Sequence, residues 1–492
     1  MLKENFYIKS ARKNCYHFSL STGLFSLIHP ITYEVASLST MGYDKDHITQ
    51  KLASEYNESD IEYYYNYYLW INRVYPSSRH INCSKQLTKE AISDTLCNLK
   101  QLVFEVTTAC NLRCEYCGYG NLYENYDSRH GEKLSLKNVK TLVDYLLPYW
   151  ANKKNNEPIY ISFYGGEPLL NITLIKDIVE LFEKLDNGIK FVFSMTTNAI
   201  YLHRYIDYLV DKDFKILISL DGNKDNNAYR IKANHANSYD DVIKNILLLK
   251  SKYPDYYLSN VNFNSVLHDK NNISDILSFF DRELEKTPSV SSLNTTGVRE
   301  DMIEKFNEVY RDLQDDINNA DNTIKKREDM FLIEPDARDF SIFTTQLNRY
   351  SNNNINEHFE KTLDVSIFPG GTCIPFSRKL FLTVNGKILP CERIGQNHAL
   401  GKIDHDAVHL DFEKICSSYN SVYKRMDKVC SSCYRNRTCS QCMFHMPSEG
   451  GKNYCGGHLD TKGFEEYLKT IISRMENHPW EYKHVLENVK FK

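Results

Sequence analysis

Residues 102–117, LVFEVTTACNLRCEYC, decide how the rest of the chain is read. LVFEVT has the composition of a strand, and Cys110, Cys114 and Cys117 follow it directly with the spacing CxxxCxxC. From about residue 100 a strand, loop and helix pattern repeats. IYISFY, KFVFSMT, FKILISL and VNFNSVL are further candidate strands, with a weaker one near SVSSL. Helices with apolar residues at helical spacing lie between them, such as Ile175, Ile178, Phe182 and Leu185, or Val242, Ile246 and Leu249. Alternating strands and helices imply a parallel sheet with right-handed crossovers. The expected class is α/β, with five or six units forming a closed or partial barrel, taken as a partial (β/α)6 barrel, whose chemistry sits at the C-terminal strand ends. The three cysteines stand at such an end.

A chain of 492 residues is long enough for two or three domains. With 42% hydrophobic and 25% charged residues it has an ordinary globular composition, and a net charge of −4 gives no electrostatic case for nucleic acid. The opening residues lack an apolar h-region and no run of 18 apolar residues follows, so a cytoplasmic protein without a membrane segment is expected. In that compartment thiols stay reduced, and clustered cysteines point to metal or redox chemistry. Of the 14 cysteines, three crowd into residues 110–117 and seven lie between Cys373 and Cys455. Cys15, Cys83, Cys97 and Cys416 stand alone and read as small buried hydrophobes.

Three thiolates leave one iron of a [4Fe–4S] cubane without a cysteine, since the usual complement is four. Zinc is the competing occupant, but structural zinc favours two CxxC pairs and no fourth ligand lies nearby. This spacing at a first barrel strand resembles the radical SAM superfamily. The resemblance implies a cluster held by Cys110, Cys114 and Cys117, with S-adenosylmethionine (SAM) chelating the open iron and Tyr116 packing near its adenine. It also implies reductive cleavage of SAM to a 5′-deoxyadenosyl radical that abstracts hydrogen from a substrate carbon. Later strand ends fit the same family. Gly165, Gly166, Glu167 and Pro168 resemble its GGEP motif, whose glycines would let backbone carbonyls approach the SAM amino group. Thr196-Thr197-Asn198 ends the third strand, and Ala199 follows where relatives often have glycine. Ser219-Leu220-Asp221-Gly222 ends the fourth. In similar enzymes the serine and an arginine, here Arg230, hold the SAM carboxylate and ribose, although Arg230 sits one residue closer than the family's pattern.

Cys373 and Cys391 form a CX12GX4C pattern around Gly386, and Cys430, Cys433, Cys439 and Cys442 follow as CX2CX5CX2C before Cys455. This resembles the SPASM domain and its two auxiliary [4Fe–4S] clusters, with X2 here where X3 is usual. The resemblance assigns Cys430, Cys433, Cys439 and Cys455 to one cluster, and Cys373, Cys391 and Cys442 to another nearer the barrel. A pair of zinc knuckles is the alternative. Cys416, in the helical-looking FEKICSSYN, reads as a core thiol, which leaves the second auxiliary cluster with an open iron. Three clusters are expected in all.

At the N-terminus, HFSLS and LFSLI flank a turn at Thr22-Gly23, and two or three helical stretches follow. Ser59 and Glu62 have the spacing of a capping box at the head of ESDIEYYYNYYLW, whose tyrosines are expected to pack as core and rim. A hairpin followed by about three helices resembles the winged-helix elements with which many peptide maturases bind a precursor leader as an added strand. DNA binding by such a fold is disfavoured because no basic stripe is present. The expected segments are a leader-recognition-like domain at 1–98, the radical SAM partial barrel at 99–300, a helical connector at 301–368, the SPASM domain at 369–460 and one closing helix at 461–492. The resemblance implies an enzyme that crosslinks a ribosomally made precursor peptide, served by an electron donor such as flavodoxin or ferredoxin. A sulfatase-maturating enzyme and a non-catalytic peptide-binding scaffold are the rivals. No catalytic base is legible.

Overall fold

Phe6 and Ile8 are buried and alternate with the more exposed Tyr7 and Lys9, the period of a half-buried strand. In the computed structural model they form β1 (Asn5–Lys9), which pairs antiparallel with β2 (Cys15–Ser19), itself paired with β3 (Phe25–Ile28). The sequence signalled only the hairpin of β2 and β3, whose turn carries Gly23 at φ 65°. Residues 2–74, 83–347, 367–446 and 455–488 are described, apart from positions 125, 128, 129, 296, 326, 328, 329, 372 and 440. They fall into two units, each discontinuous in sequence: residues 1–86, 335–372 and 421–492, and residues 87–334 and 373–420. The connector expected at 301–368 is divided between them.

In the first unit, helices α1 (Pro30–Thr40), α2 (Lys45–Leu52) and α3 (Glu58–Val74) follow the three strands. Their core is Ile31, Val35, Ile48, Leu52 and Ile61, and Tyr64, Tyr65 and Tyr68 pack on its rim as expected. The capping box is not formed. Helix α3 already begins at Glu58, the Ile61 N–H bonds the Asn57 carbonyl, and Glu62 pairs with Lys45 at 3.1 Å. Asn57 thus stands where the cap was expected at Ser59, which lies inside the first turn. The C-terminal segment is two helices, Thr461–Asn477 and Pro479–Asn488, rather than one. Pro479 forces the break: His478 before it leaves the helical region (φ −129°, ψ 60°). The Phe6 ring meets Tyr434 and Phe464 edge-on, with centroids 5.3 and 5.1 Å away, so the N-terminal sheet shares a core with this helical segment.

In the second unit, β4 (Gln101–Thr107), β5 (Ile159–Gly165), β6 (Phe191–Thr197), β7 (Lys215–Ser219), β8 (Val261–Leu267) and β9 (Ser289–Ser292) run parallel and adjacent in sequence order. The intervening helices bury Ile175, Ile178 and Phe182 in one and Val242, Ile246 and Leu249 in another, while Leu185 lies past the end of the first and is half-buried. Residues 379–410, which show little regular periodicity in sequence, form four strands. There β10 (Lys379–Leu382) lies parallel to β4, and β11 (Lys387–Leu389), β12 (Gly401–Asp404) and β13 (Ala407–Leu410) continue antiparallel. Strands of three or four residues are too short to show a period; the β4 edge supplies the partner that makes them strands. The result is an open ten-stranded sheet with β13 and β9 at its ends, a partial barrel. FEKICSSYN is helical, within Phe412–Ser431. Among the described residues no helix is long and apolar enough to cross a membrane.

Candidate metal centre

The loop from Cys110 to Cys117 leaves the C-terminal end of β4 and is held on three sides. Arg113 and Glu115 donate backbone bonds to the Ile231 and Tyr229 carbonyls, 2.7 and 3.3 Å away, which seats the loop against the segment after β7. Asn198, at the end of β6, donates to the Asn111 side chain at 2.7 Å and lies 3.8 Å from the Cys110 sulfur. The third hold comes from the GGEP segment. Gly166 N–H bonds the Thr107 carbonyl and Glu167 N–H the Ala109 carbonyl, both at 2.8 Å. A Cβ at Gly165 would run into the Thr107 carbonyl, one at Gly166 into that of Ala109, and Gly165 sits at φ 131°. These glycines were expected to let the backbone approach a ligand; the close approach they permit here is to the chain that leads into Cys110.

Glu167 is 1% exposed, and its carboxylate is taken up by Thr197 Oγ1 (2.6 Å), Asn198 N (2.7 Å) and Leu169 N (3.1 Å). It braces the ends of β5 and β6. Burial lifts its carboxyl to about 7 despite those three donors. The folded protein therefore holds a proton that the unfolded chain releases, and this group makes stability fall as pH rises from the ordinary carboxylate range to about 7. Unfolding midpoints of Glu167→Gln measured at pH 5 and pH 7.5 should lack this component. An equal pH slope in the variant and the parent would contradict it. Pro168 is buried at the start of the following 3₁₀ turn.

Ala199, where relatives often carry glycine, is buried with φ 60°. Left-handed geometry costs an alanine roughly 1–2 kcal/mol, while a glycine adds about 0.4–1 kcal/mol of unfolded-chain entropy. Ala199→Gly should therefore leave thermal stability unchanged or raise it by up to about 1.5 kcal/mol. A clear fall in the melting midpoint would contradict the strain.

A buried polar network locks the other side of the loop. Tyr116 donates from its hydroxyl to Asp221, which also accepts from Arg230 Nη2 and from Val266 N, both at 3.0 Å. His268, fully buried at the end of β8, has Nε2 3.7 Å from the same carboxylate and stacks on Tyr116 with centroids 5.7 Å apart. Burial works to raise the Asp221 carboxyl, but Arg230 and His268 outweigh it and hold it below the usual range. Arg230, expected toward the SAM carboxylate, is paired with Asp221, and its Nε has no protein partner. Ser219 ends β7, paired in register with Asn264. His268 was missed from sequence, although its place at a strand end was the signal that could have found it.

Cys110, Cys114 and Cys117 line a cavity of about 660 Å³ together with Thr108, Arg113 and Lys305. None of the three is in a disulfide. Burial pushes the Cys114 thiol up to about 12, although the nearby Arg230 charge works to lower it. Among the described residues no three His, Cys, Asp or Glu side chains converge on a single ion. A cubane is several ångströms across, and its thiolates ring it rather than meet at one point. The residues present, thiols on one loop beside a cavity of ligand size, fit a cluster with SAM beside it.

The C-terminal cysteines divide between the two units. Cys373 (exposed) and Cys391 belong to the second, where the Arg393 N–H meets the Cys391 sulfur at 3.3 Å; Cys430, Cys433, Cys439, Cys442 and Cys455 belong to the first. Cys430 and Cys433 are buried and linked by a turn, Cys433 N to Cys430 O at 3.1 Å. The Cys455 thiol is raised by burial and by its neighbours Cys439 and Cys433. Cys416 lies instead beside Glu90, Lys89 and Glu413.

Residues 104–282 match the sequence profile of the Radical SAM superfamily. The cysteine-type anaerobic sulfatase-maturating enzyme of Clostridium novyi (strain NT) is 27% identical over 206 residues, 40% of this chain and 53% of that protein. The radical SAM cyclopropyl synthase TigE of Paramaledivibacter caminithermalis is 23% identical over 266 residues, 52% of each chain. This chain thus spans about half the length of these curated relatives. The solved structure of histidine-tagged anSMEcpe with bound AdoMet superposes with a TM-score of 0.52 at 18% identity, over 80% of this chain and 96% of that one. It shares the fold.

Proposed function

Proceeding from the radical SAM domain that residues 104–282 form, we propose that this chain reductively cleaves SAM and uses the radical chemistry to crosslink a ribosomally made precursor peptide. The observation that carries the proposal is the cysteine loop on β4, fixed by glycines behind it and by the Tyr116–Asp221–Arg230 network beside it. When bound, the cluster and SAM supply a carbon radical able to take hydrogen from an unactivated position. The chain's own residues orient and enclose. Asn198 and the Tyr229–Ile231 backbone hold the loop that carries the thiolates. Arg230 keeps a buried positive charge beside Cys114 and Tyr116.

The N-terminal strands support a peptide substrate. The three-stranded sheet ends at β3, where Leu27 is 67% exposed, and an extended leader could add there as a fourth strand. Because that sheet shares its core with the helix Thr461–Asn477, the test uses the full chain. The reduced, reconstituted protein is incubated with SAM and the precursor peptide encoded beside its gene. Loss of two hydrogens from the peptide, by mass spectrometry, is the expected result. SAM cleavage with no change in that peptide, but oxidation of a sulfatase-derived Cys peptide, would favour the second reading. The similarity to the sulfatase-maturating enzyme supports that second reading.

A further inference from the structure

We propose that Cys83 is a fifth sulfur of the site formed by Cys430, Cys433, Cys439 and Cys455, able to replace Cys455 as a thiolate on iron, an inference that rests on the cluster reading of those four cysteines. Cys83 is far from them in sequence and read as a lone core thiol. In the fold it is completely buried in one apolar nucleus with Met426 and Cys430, and Cys455 and Met446 pack against that nucleus. Ser431 and Asp427 are also among its neighbours, and Cys433 and Cys439 lie in the same region. A buried cysteine among aliphatic side chains needs no ligand to explain it. One that shares its nucleus with Cys430 and Cys455, two of four cysteines assigned to a cluster that needs four, is a different matter.

The choice of Cys455 as the exchanging partner follows from chain connectivity. Cys430, Cys433 and Cys439 come from one continuous stretch, and the Leu459 N–H further fixes the Cys433 sulfur at 3.4 Å. Cys455 and Cys83 each enter from another part of the chain, and both reach the Met426–Cys430 nucleus. Cys83 is itself anchored nearby, since Lys85 N–H bonds the Ile367 carbonyl at 3.2 Å. In the exchange the Cys83 thiol gives up its proton as its sulfur binds iron, and the displaced Cys455 thiolate takes up a proton. No electron is transferred.

The test uses the full chain, reconstituted anaerobically with iron and sulfide. Iron and acid-labile sulfide per chain are measured with the electron paramagnetic resonance spectrum after reduction. Cys455→Ala and Cys83→Ala should each keep the parental iron content, with a changed spectrum in Cys455→Ala. The double variant should lose about four irons, one cluster. Loss of that cluster in either single variant, or its retention in the double, would overturn the proposal. Cys83→Ser, alone and combined with Cys455→Ala, gives the same readings if the alanine variant does not fold. A parent chain with no iron–sulfur absorbance would instead sink the cluster reading itself.

Discussion

Replacing Cys110, Cys114 and Cys117 together with alanine should abolish SAM cleavage and remove about a third of the iron of the reconstituted protein. The expectation follows from where the three thiols sit. They share one loop at the end of β4 and line one cavity that none of the C-terminal cysteines lines. Cys373 and Cys391 lie in the same unit on another segment, and Cys430, Cys433, Cys439, Cys442 and Cys455 lie in the other unit. Loss of their cluster should therefore leave the C-terminal iron in place. Parental iron in the triple variant would mean that the loop holds none. Loss of nearly all the iron would mean that the clusters are not independent.

The second large effect concerns Asp221. Its carboxylate is fully buried and is the partner of Arg230, which is itself 7% exposed. Removing one member of a buried pair leaves an uncompensated charge and costs about 3–5 kcal/mol. Asp221→Ala should be destabilised by that amount in denaturant unfolding, and Asp221→Ala with Arg230→Met should recover much of it. Tyr116→Phe, which removes one hydrogen bond to a charged group, should cost only about 1.5–3 kcal/mol. The pH dependence has a definite sign. A carboxyl held below its usual range contributes stability above that range and loses it as pH falls through it, so the Asp221 contribution should fade in acid. Additive single-variant costs in the double would show that the pair is not coupled.

The parallel strands were legible because each is a compact apolar run followed by a helix with a clear stripe. Asn198, Asp221 and Arg230 were singled out by resemblance to a family's motifs, and the fold brings Asp221 and Arg230 into one buried network and Asn198 beside Cys110. Their partners were less legible. That Gly165 and Gly166 serve the chain into Cys110, and that Arg230 pairs with Asp221, are facts of three-dimensional contact with no local sequence signal. The same holds for Cys83, which meets Cys430 across hundreds of residues. Strands β10 to β13 were illegible for a different reason: their three or four residues acquire meaning only beside β4. The break at Pro479 does have a local signal, the proline that takes His478 out of the helical region.

The most direct test of the central claim is SAM turnover by the full chain. The protein is reconstituted anaerobically, its iron is counted, and it is then reduced with dithionite in the presence of SAM. About twelve irons per chain are expected, in three clusters of four, with formation of 5′-deoxyadenosine and methionine. Stoichiometric zinc, no iron–sulfur absorbance and intact SAM would contradict the account.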